Sequence, residues 1–349
     1  MMNQRQRSPL RPTLEEVAVA AGVGRGTVSR VVNGSPQVSP AAKAAVERAI
    51  ADLGYVPNRA ARALVRQRTD SVALVISESE DRLFGEPFFA GIIRGISSML
   101  TETPLQLWLA LATSPEERVR VHQHLTPQHV DGVLLLSLHA DDPLPAMLAE
   151  KDVPVVLGGR FARMLDEPEK AGVSFVDVDN VGGARLATSH LVGNGRRRIA
   201  TITGPLDMGV GIARLAGYRE ALVAAGLGVS EDLIVYGDFS EASGMVAMRA
   251  LLAAHPDVDA VFAASDPMAL GVLRVLRESG RRVPEDVAVV GFDDSVLARQ
   301  TQPTLTSVHQ PVEEMGRTMA RLLYDKISGV EPAQPYVILG THLVERDSG

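Results

Sequence analysis

One stretch of the chain, residues 22–34, reads GVGRGTVSRVVNG and predicts a short helix with two unlike faces. Its valines recur at helical spacing and form an apolar face: Val28, Val31 and Val32. Its other face carries two cations and two hydroxyls without a carboxylate: Arg25, Thr27, Ser29 and Arg30. Arginine can reach O6 and N7 of guanine together, and hydroxyls donate to phosphate oxygens. The polar face therefore suits contacts with DNA.

A second helix is predicted just upstream of this stretch. Thr13 and Glu16 have the spacing of a capping box, in which a hydroxyl is followed three residues later by Glu. Val17, Ala18 and Ala21 supply an apolar stripe, and Gly22 ends the helix where a positive φ is expected. A helix, a glycine turn and a second helix together predict a helix-turn-helix.

Residues 13–34 resemble the DNA-binding domain of the lactose-repressor/galactose-repressor (LacI/GalR) family. The landmarks are Val17-Ala18, Ala21-Gly22-Val23 and Thr27-Val28-Ser29-Arg30-Val31. The resemblance implies a homodimeric transcriptional regulator, a repressor, that binds pseudo-palindromic operator DNA and answers to a small sugar-like effector. The alternative is a small helical domain with a solvated basic face.

The charge distribution separates the chain into two parts. The 349 residues carry a net charge of −7, but residues 1–69 hold 11 Lys and Arg against 4 Asp and Glu, which leaves −14 for the remainder. A basic N-terminal part joined to an acidic body is typical of a DNA-binding domain attached to a different kind of domain.

Length and composition limit the class of protein. A chain of 349 residues predicts two or three domains. No apolar run approaches the roughly 20 residues of a membrane span, and the N-terminus lacks the apolar segment of a signal peptide. The chain has no cysteine, which excludes disulfides and thiolate metal sites and fits a reducing compartment. We therefore expect a cytoplasmic protein.

The N-terminal part is predicted to contain three segments. Residues 1–12 are expected to form a disordered basic arm, and residues 13–56 the helix-turn-helix domain. Within that domain, Ser39 and Pro40 begin a third helix that ends at Gly54. Val46, Ile50 and Leu53 have the spacing of a core-facing stripe on this helix: residues i, i+4 and i+7.

Residues 57–69 are predicted to form a hinge helix and linker. Asn58 can cap a short helix, and the segment Asn58-Arg59-Ala60-Ala61-Arg62-Ala63-Leu64 resembles the hinge helix of the family. The resemblance implies that it orders only when paired with its partner across the DNA, with Ala61 allowing close approach and Leu64 wedging into a minor-groove step. The alternative is an ordinary linker helix.

Residues 70–349 alternate between strand and helix patterns. Strands are predicted to begin near Val72, Leu105, Gly132, Pro154, Val173, Arg198, Leu233, Asp259, Val287 and Leu305. This alternation predicts parallel, doubly wound α/β sheets, and ten strands indicate two lobes. The body resembles the two-lobed effector domain of the family, which is similar to periplasmic sugar-binding proteins. The resemblance places the entry into the second lobe near Asn180 and further crossings near Thr304 and Tyr336.

Ligands of open α/β sheets meet the carboxyl ends of the strands, and several groups with suitable chemistry are predicted there. The segment after the first strand resembles an effector loop of the family, in which Phe88 or Phe89 stacks on a sugar ring and Glu86 accepts hydroxyl protons. For either Phe, packing in the core is the alternative. The resemblance makes Arg214 a donor to effector oxygens and Asp293 an effector carboxylate. Their alternatives are a surface salt bridge and a cap on the following turn.

The remaining effector residues follow from the same resemblance, with two departures from the family pattern. Phe239 adds an aromatic wall. Ser265 stands where many relatives carry Asn, which shortens or removes one amide contact. Gly159 stands where some relatives carry Asp, which leaves Arg160 as the replacement.

The predicted DNA-binding residues combine phosphate contacts and base contacts. Arg25 and Arg30 are the candidates for base edges. In the family pattern, Gly24 replaces a usual Ser N-cap of the recognition helix, and Gly26 leaves a variable base-reading position without a side chain, so Arg25 is expected to carry more of the readout. The full predicted set is Thr13, Leu14, Arg25, Gly26, Thr27, Ser29, Arg30, Asn33, Tyr55, Asn58, Ala61 and Leu64.

Other functions remain as alternatives. A solute-binding protein without a DNA function would be expected to carry an export signal and no basic N-terminal part. A sugar-acting enzyme with a regulatory domain would need an acid and base pair or a phosphate loop. The sequence shows no catalytic motif and no metal-ligand spacing, so no enzyme activity, metal or cofactor is expected.

Overall fold

The computed structural model describes residues 12–56, 68–139, 142–165 and 172–349. The chain divides into two units, one ending at Thr69 and the other beginning at Asp70. Nearly all of the predicted arm and hinge helix lies outside the described residues, and with them the predicted DNA-binding residues Asn58, Ala61 and Leu64.

The N-terminal unit contains three helices: α1 (Leu14–Ala21), α2 (Arg25–Val32) and α3 (Pro40–Leu53). The predicted capping box is present, since the Thr13 side chain accepts from the Glu16 backbone and the Glu16 side chain accepts from the Thr13 backbone. Gly22 ends α1 with φ +64°. The N-cap of α2 is Gly24, which makes no side-chain cap bond. The predicted helix-turn-helix is thus confirmed.

A small apolar core joins the three helices. Its buried members are Val17, Ala18, Val28, Val46, Ala49 and Tyr55. The prediction that Leu53 closes this core was wrong, because its side chain is 38% exposed. Gly54 turns the chain immediately after Leu53, and the Tyr55 backbone returns to bond Ile50, so that Tyr55 covers the core instead.

Two glycines of this unit make a matched pair for a stability test. An added Cβ would meet no atom within 4 Å at Gly22 or at Gly26, but only Gly22 has a positive φ. We expect Gly22→Ala to destabilise the unit by about 1–2 kcal/mol, and Gly26→Ala, inside a helix, to stabilise it by about 0.5–1 kcal/mol. Hydrogen exchange of the α1 and α2 amides in the full-length protein measures both changes. Shifts of the same sign would contradict the assigned turn.

The second unit contains the strands predicted from the sequence and two more. In the described residues they are β1 (Ser71–Ile76), β2 (Gln106–Leu111), β3 (Gly132–Leu136), β4 (Val155–Gly158), β5 (Ser174–Val178), β6 (Ile199–Thr203), β7 (Ile234–Tyr236), β8 (Ala260–Ala263), β9 (Ala288–Asp293), β10 (Thr306–His309), β11 (Tyr336–Leu339) and β12 (His342–Val344). The ten predicted strands are all present. No strand was predicted at β11 or β12, since both are short and only partly buried, and show no clear alternation.

The strands form two six-stranded sheets, one in each lobe. The sheet of lobe 1 has the order β11-β5-β4-β3-β1-β2, and that of lobe 2 the order β12-β10-β9-β8-β6-β7. All pairs are parallel except β10 and β12. Every residue of β3, with the sequence GVLLL, is buried, as expected for a parallel strand covered on both faces.

Helices cover both faces of each sheet. They are α4 (Glu80–Gly85), α5 (Pro87–Leu100), α6 (Pro115–His124), α7 (Leu144–Ala149), α8 (Asn180–Gly193), α9 (Gly209–Ala224), α10 (Glu241–Ala254), α11 (Asp266–Glu278), α12 (Val296–Gln300) and α13 (Val312–Ile327). Each sheet has an apolar cluster on either side, so each lobe has its own core. No helix in the described ranges is both long and apolar enough to cross a membrane.

The chain passes between the lobes at three places, residues 178–180, 309–312 and 339–342. The first agrees with the predicted entry near Asn180. The second lies beyond the predicted position near Thr304, because Thr306–His309 still pairs with β9 in lobe 2. All three passages lie next to carboxyl or amino ends of strands, where the cleft described below is found.

Candidate functional site

A cleft lies between the two lobes, lined by residues that follow the strands of both sheets. Its empty volume is about 810 Å³, including the space open to solvent at its mouth. This is within the range of small-molecule sites. All eight residues predicted to contact an effector line it: Glu86, Phe88, Phe89, Arg160, Arg214, Phe239, Ser265 and Asp293.

Arg214, on α9, is buried in the floor of the cleft and is 4% exposed. Its Nε donates to Asn180 Oδ1 at 2.9 Å, and its Nη1 donates to the Ala264 carbonyl at 2.5 Å. The guanidinium carbon lies 3.6 Å from the ring centroid of Phe292. Burial lowers the pKa of Arg214, and the carboxylate of Asp293, at 3.6 Å from Nη1, opposes this shift. Arg214 is therefore not part of a surface salt bridge.

Asp293 ends β9 with φ +115°, a conformation that an L-residue rarely adopts. Its Oδ1 accepts a hydrogen bond of 2.6 Å from Gln310 Nε2. Burial raises the pKa of Asp293, and the positive charge of Arg214 opposes the rise. The first N–H of the next turn, that of Ser295, donates to Asp266 Oδ2 at 2.7 Å. Asp293 therefore lines the cleft and does not cap the following helix, which has no side-chain cap bond.

Glu86 is held by Arg82, which was not predicted as a site residue. Arg82, one turn earlier, donates to both carboxylate oxygens of Glu86 at 2.6 and 3.2 Å. Its Nη1 also lies 2.5 Å from Oε1 of the buried Glu78. Burial raises the pKa of Glu86, and the hydrogen bonds from Arg82 oppose this. The spacing of four residues on a helix was the signal that could have identified this pair.

Arg160 belongs to a second polar group, at the end of β5. Its Nε donates to Asp177 Oδ2 at 2.7 Å, and Asn180 Nδ2 donates to Asp177 Oδ1 at 3.0 Å. Since Asn180 also accepts from Arg214, hydrogen bonds connect the two arginines across the cleft floor. Asp177 and Asn180 were not predicted as site residues, although a carboxylate inside the buried strand SFVDV was a usable signal.

The aromatic residues of the cleft differ in how much surface they offer. Phe89 is 1% exposed and packs in the core of lobe 1, as its alternative proposed, with its ring edge-on to that of Phe88 at 5.3 Å. Phe239 has φ +72° and lies in lobe 2. Ser265 Oγ donates to the Phe239 carbonyl at 3.0 Å and accepts from the Met268 N–H at 3.3 Å. The hydroxyl of Ser265 is thus engaged in holding Phe239 and capping α11.

The recognition helix α2 exposes part of the predicted DNA-binding set. Arg25 lies on its first turn, and Arg25 Nη1 is 3.1 Å from Glu15 Oε1, with the two side chains 73% and 59% exposed. Arg30 Nε donates to the Gly26 carbonyl at 3.2 Å. Thr27, Ser29 and Asn33 are half-buried along the same helix and its C-cap.

The other predicted DNA contacts in this unit serve its structure as well. Thr13 caps α1, Leu14 packs against the core, and Tyr55 is only 8% exposed. Their roles toward DNA remain predictions.

Two family comparisons agree with this architecture. The family of bacterial regulatory proteins named lacI matches residues 13–58, and the family of periplasmic binding protein-like domains matches residues 188–349. The first match covers the three helices of the N-terminal unit, and the second covers most of lobe 2.

Whole-chain relatives are regulators. The HTH-type transcriptional regulator CelR of Thermobifida fusca is 61% identical over 339 residues, 97% of this chain and 98% of the relative. The ribose operon repressor of Escherichia coli (strain K12) is 37% identical over 339 residues, 96% of this chain and 99% of the relative. Neither is described as an enzyme, in agreement with the prediction.

Solved structures of transcriptional regulators resemble this chain over nearly its whole length. A transcriptional regulator CelR–cellobiose complex is 60% identical, with a TM-score of 0.77 over 97% of this chain and 100% of that chain. The lac repressor dimer bound to operator and the anti-inducer ONPF is 28% identical, with a TM-score of 0.83 over 97% of this chain and 99% of that chain. On its sequence and its fold, the chain belongs to the lacI family of bacterial regulatory proteins.

Proposed function

We propose that the protein is a DNA-binding transcriptional repressor whose affinity for its operator is set by a neutral sugar bound in the cleft. The observation that carries this proposal is the balanced charge of the cleft. Three arginines line it, and each lies within hydrogen-bond or ion-pair distance of a cleft carboxylate: Arg82 with Glu86, Arg160 with Asp177, and Arg214 with Asp293.

A balanced cleft favours a ligand that is polar but uncharged. A phosphate or carboxylate ligand would have to compete with carboxylates that already neutralise the three arginines. Sugar hydroxyls both donate and accept, so they can bridge an arginine and its carboxylate without adding charge. Phe88, which is half-buried and lines the cleft, offers apolar surface for the C–H face of a sugar ring. The solved CelR–cellobiose complex supports cellobiose as the first sugar to test.

For the N-terminal unit we propose binding to a pseudo-palindromic operator as a homodimer. The support is the exposed cationic face of α2 and the solved lac repressor dimer on its operator. Two recognition helices related by two-fold symmetry read half-sites about one turn of DNA apart. A protein with this role acts where the bacterial DNA lies, so we place it in the cytoplasm.

A sugar panel tests this proposal. Cellobiose, glucose, lactose and ribose are added to the purified protein, and the melting temperature is followed. A ligand at about 100 times its dissociation constant adds about 2.7 kcal/mol of stability, so the true effector is expected to raise the melting temperature by several degrees. Recovery of that sugar unchanged after incubation excludes the enzyme alternative.

The second half of the test uses DNA. An operator duplex is selected from a random library, and its binding is measured by fluorescence anisotropy with and without the stabilising sugar. We expect the sugar to change operator affinity by about 5- to 150-fold. Equal operator affinity with the cleft empty and saturated would contradict the proposed coupling.

A further inference from the structure

One ion pair joins the two lobes at the mouth of the cleft. His139 follows β3 in lobe 1, and Asp207 precedes α9 in lobe 2. His139 Nδ1 lies 2.6 Å from Asp207 Oδ2, with the two side chains 31% and 54% exposed. Their chain neighbours Leu138 and Met208 both line the cleft. The pair therefore lies beside the cleft and joins the lobe that carries Leu138 to the lobe that carries Met208.

This pair continues inward as a chain of alternating charges. His139 Nε2 lies 3.8 Å from Oε1 of Glu78, whose side chain is 6% exposed. Glu78 pairs with Arg82, and Arg82 pairs with the cleft residue Glu86. A positive charge on His139 therefore interacts with Asp207 of lobe 2 on one side. On the other side it interacts with Glu78, which pairs with the arginine that holds Glu86.

We propose that His139 and Asp207 form a proton-dependent latch that holds the two lobes closed around the effector. When the imidazole is protonated, both of its nitrogens donate, one toward Asp207 and one toward Glu78. When it is neutral, one nitrogen loses its proton and presents a lone pair to a carboxylate. The latch therefore holds in the protonated form and weakens in the neutral form.

The surroundings of His139 favour the protonated form. The nearby carboxylate of Glu78 raises its pKa most, Asp207 raises it further, burial opposes both, and the result is about 9. The third neighbour among the described residues, Asp142, contributes a backbone N–H to the His139 carbonyl at 3.1 Å. Arg82 faces Glu78 from the opposite side and limits the negative charge there.

The sign of the pH effect follows from which partner leaves when the cleft opens. Asp207 moves away with lobe 2, whereas Glu78 stays with His139 in lobe 1. The pKa of His139 is therefore higher in the closed form than in the open form, and closure takes up protons. The latch is complete at pH values below the open-form pKa and is lost as the pH rises through about 9.

The first test needs no ligand. The chain has no cysteine, so Glu102→Cys in lobe 1 and Ala253→Cys in lobe 2 provide two specific spin-label sites. Both positions are exposed. Labelled protein is mixed with excess unlabelled protein, and the distance between the labels is measured by double electron–electron resonance. Raising the pH from 7 to 9.5 is expected to shift the distances between the labels in the unsubstituted protein. We expect Asp207→Asn to show a shift in the same direction already at pH 7.

A matched control removes an ion pair that lies within lobe 2. Glu231→Gln breaks the pair between Arg219 and Glu231, whose N···O distance is 2.8 Å, and leaves the cleft mouth intact. It is expected to leave the distances at pH 7 unchanged. If Asp207→Asn and the unsubstituted protein give the same label distances at pH 7, the proposal of a latch is refuted.

The second test measures affinity for cellobiose by calorimetry, and it rests on the proposed function. Unsubstituted protein is expected to bind about two- to fivefold more weakly at pH 9.5 than at pH 7, as befits a partly exposed pair. Asp207→Asn is expected to show the weaker affinity already at pH 7. Because burial raises the pKa of Asp293 in the cleft to about 8, the effect of the latch is measured as the difference between the pH profiles of the unsubstituted protein and Asp207→Asn.

A double-substitution cycle separates the latch from two independent effects. His139→Gln combined with Asp207→Asn is expected to weaken cellobiose binding no more than either change alone. Additive losses would overturn the proposal. If cellobiose binds to none of the proteins, the proposed effector is wrong, and the spin-label distances still decide whether the latch exists.

Discussion

Replacing Arg214 with alanine is expected to abolish sugar binding while operator binding persists. Its guanidinium bonds Asn180 and the Ala264 carbonyl and stacks on Phe292, so it is fixed before any ligand arrives. Charged hydrogen bonds contribute about 1.5–3 kcal/mol each, so losing donors to two sugar oxygens lowers affinity by about 100-fold or more. Calorimetry with the sugar identified by the thermal-shift panel measures the loss.

The control for this change lies on the same helix. Arg219 pairs with Glu231 at the surface, and Arg219→Ala removes the same charge without touching the cleft. It is expected to leave sugar affinity unchanged. Breaking a buried pair can cost about 3–5 kcal/mol of stability, so Arg214→Lys, which keeps the charge but loses the planar fork, provides a milder variant. A folded Arg214→Ala protein that binds the sugar within threefold of the original would refute the assigned role.

The sequence predicted best those features that depend on neighbouring residues. The capping box of Thr13 and Glu16, the αL turn at Gly22 and the start of α3 at Ser39 all appear as predicted, because each is fixed within one helical turn. The ten predicted strands also appear, since a buried parallel strand is a continuous apolar run between polar loops. The weakly patterned edge strand Tyr336–Leu339 was missed for the same reason.

The sequence predicted the residues of the candidate site but not the hydrogen bonds and ion pairs that hold them in place. The eight predicted residues meet in one cleft, yet the partners that hold four of them, including Arg82 beside Glu86, were not predicted. Asp177 binds Arg160, Asn180 binds Arg214, and Gln310 binds Asp293, from distant parts of the chain. Such pairings depend on which strands and helices become neighbours within each lobe, which no local pattern specifies. Only Arg82, one helical turn from Glu86, could have been identified from spacing.

Burial also changed the interpretation of single residues. Tyr55 carries a phenol that suited a phosphate contact, but its ring closes the core of the N-terminal unit. Ser265 stands at a position predicted to contact the effector, but its hydroxyl bonds the Phe239 carbonyl and caps α11. The residue type alone allowed either a ligand contact or a structural role. The tertiary structure shows the structural role: Tyr55 packs in the core, and Ser265 caps α11.

Among single substitutions on the recognition helix, Arg25→Ala is expected to give the largest loss of specific DNA binding. Arg25 is exposed on the first turn of the recognition helix, and its surface pair with Glu15 contributes little to stability. A bidentate contact with guanine discriminates against other bases by about 1–3 kcal/mol, which corresponds to a loss of about 5- to 150-fold in operator affinity. Fluorescence anisotropy with the selected operator measures it, and sugar affinity is expected to stay unchanged.

A loss of charge alone would also weaken DNA binding, so the decisive comparison is with Arg48→Ala. Arg48 is an exposed arginine on α3 outside the predicted DNA-binding set, and its Nε donates to the Ala44 carbonyl at 3.3 Å. Both variants lose one positive charge, but only Arg25→Ala is expected to lower the ratio of operator to scrambled-duplex affinity, because phosphates carry no sequence information. Equal ratios in the two variants would show that Arg25 attracts DNA without reading it.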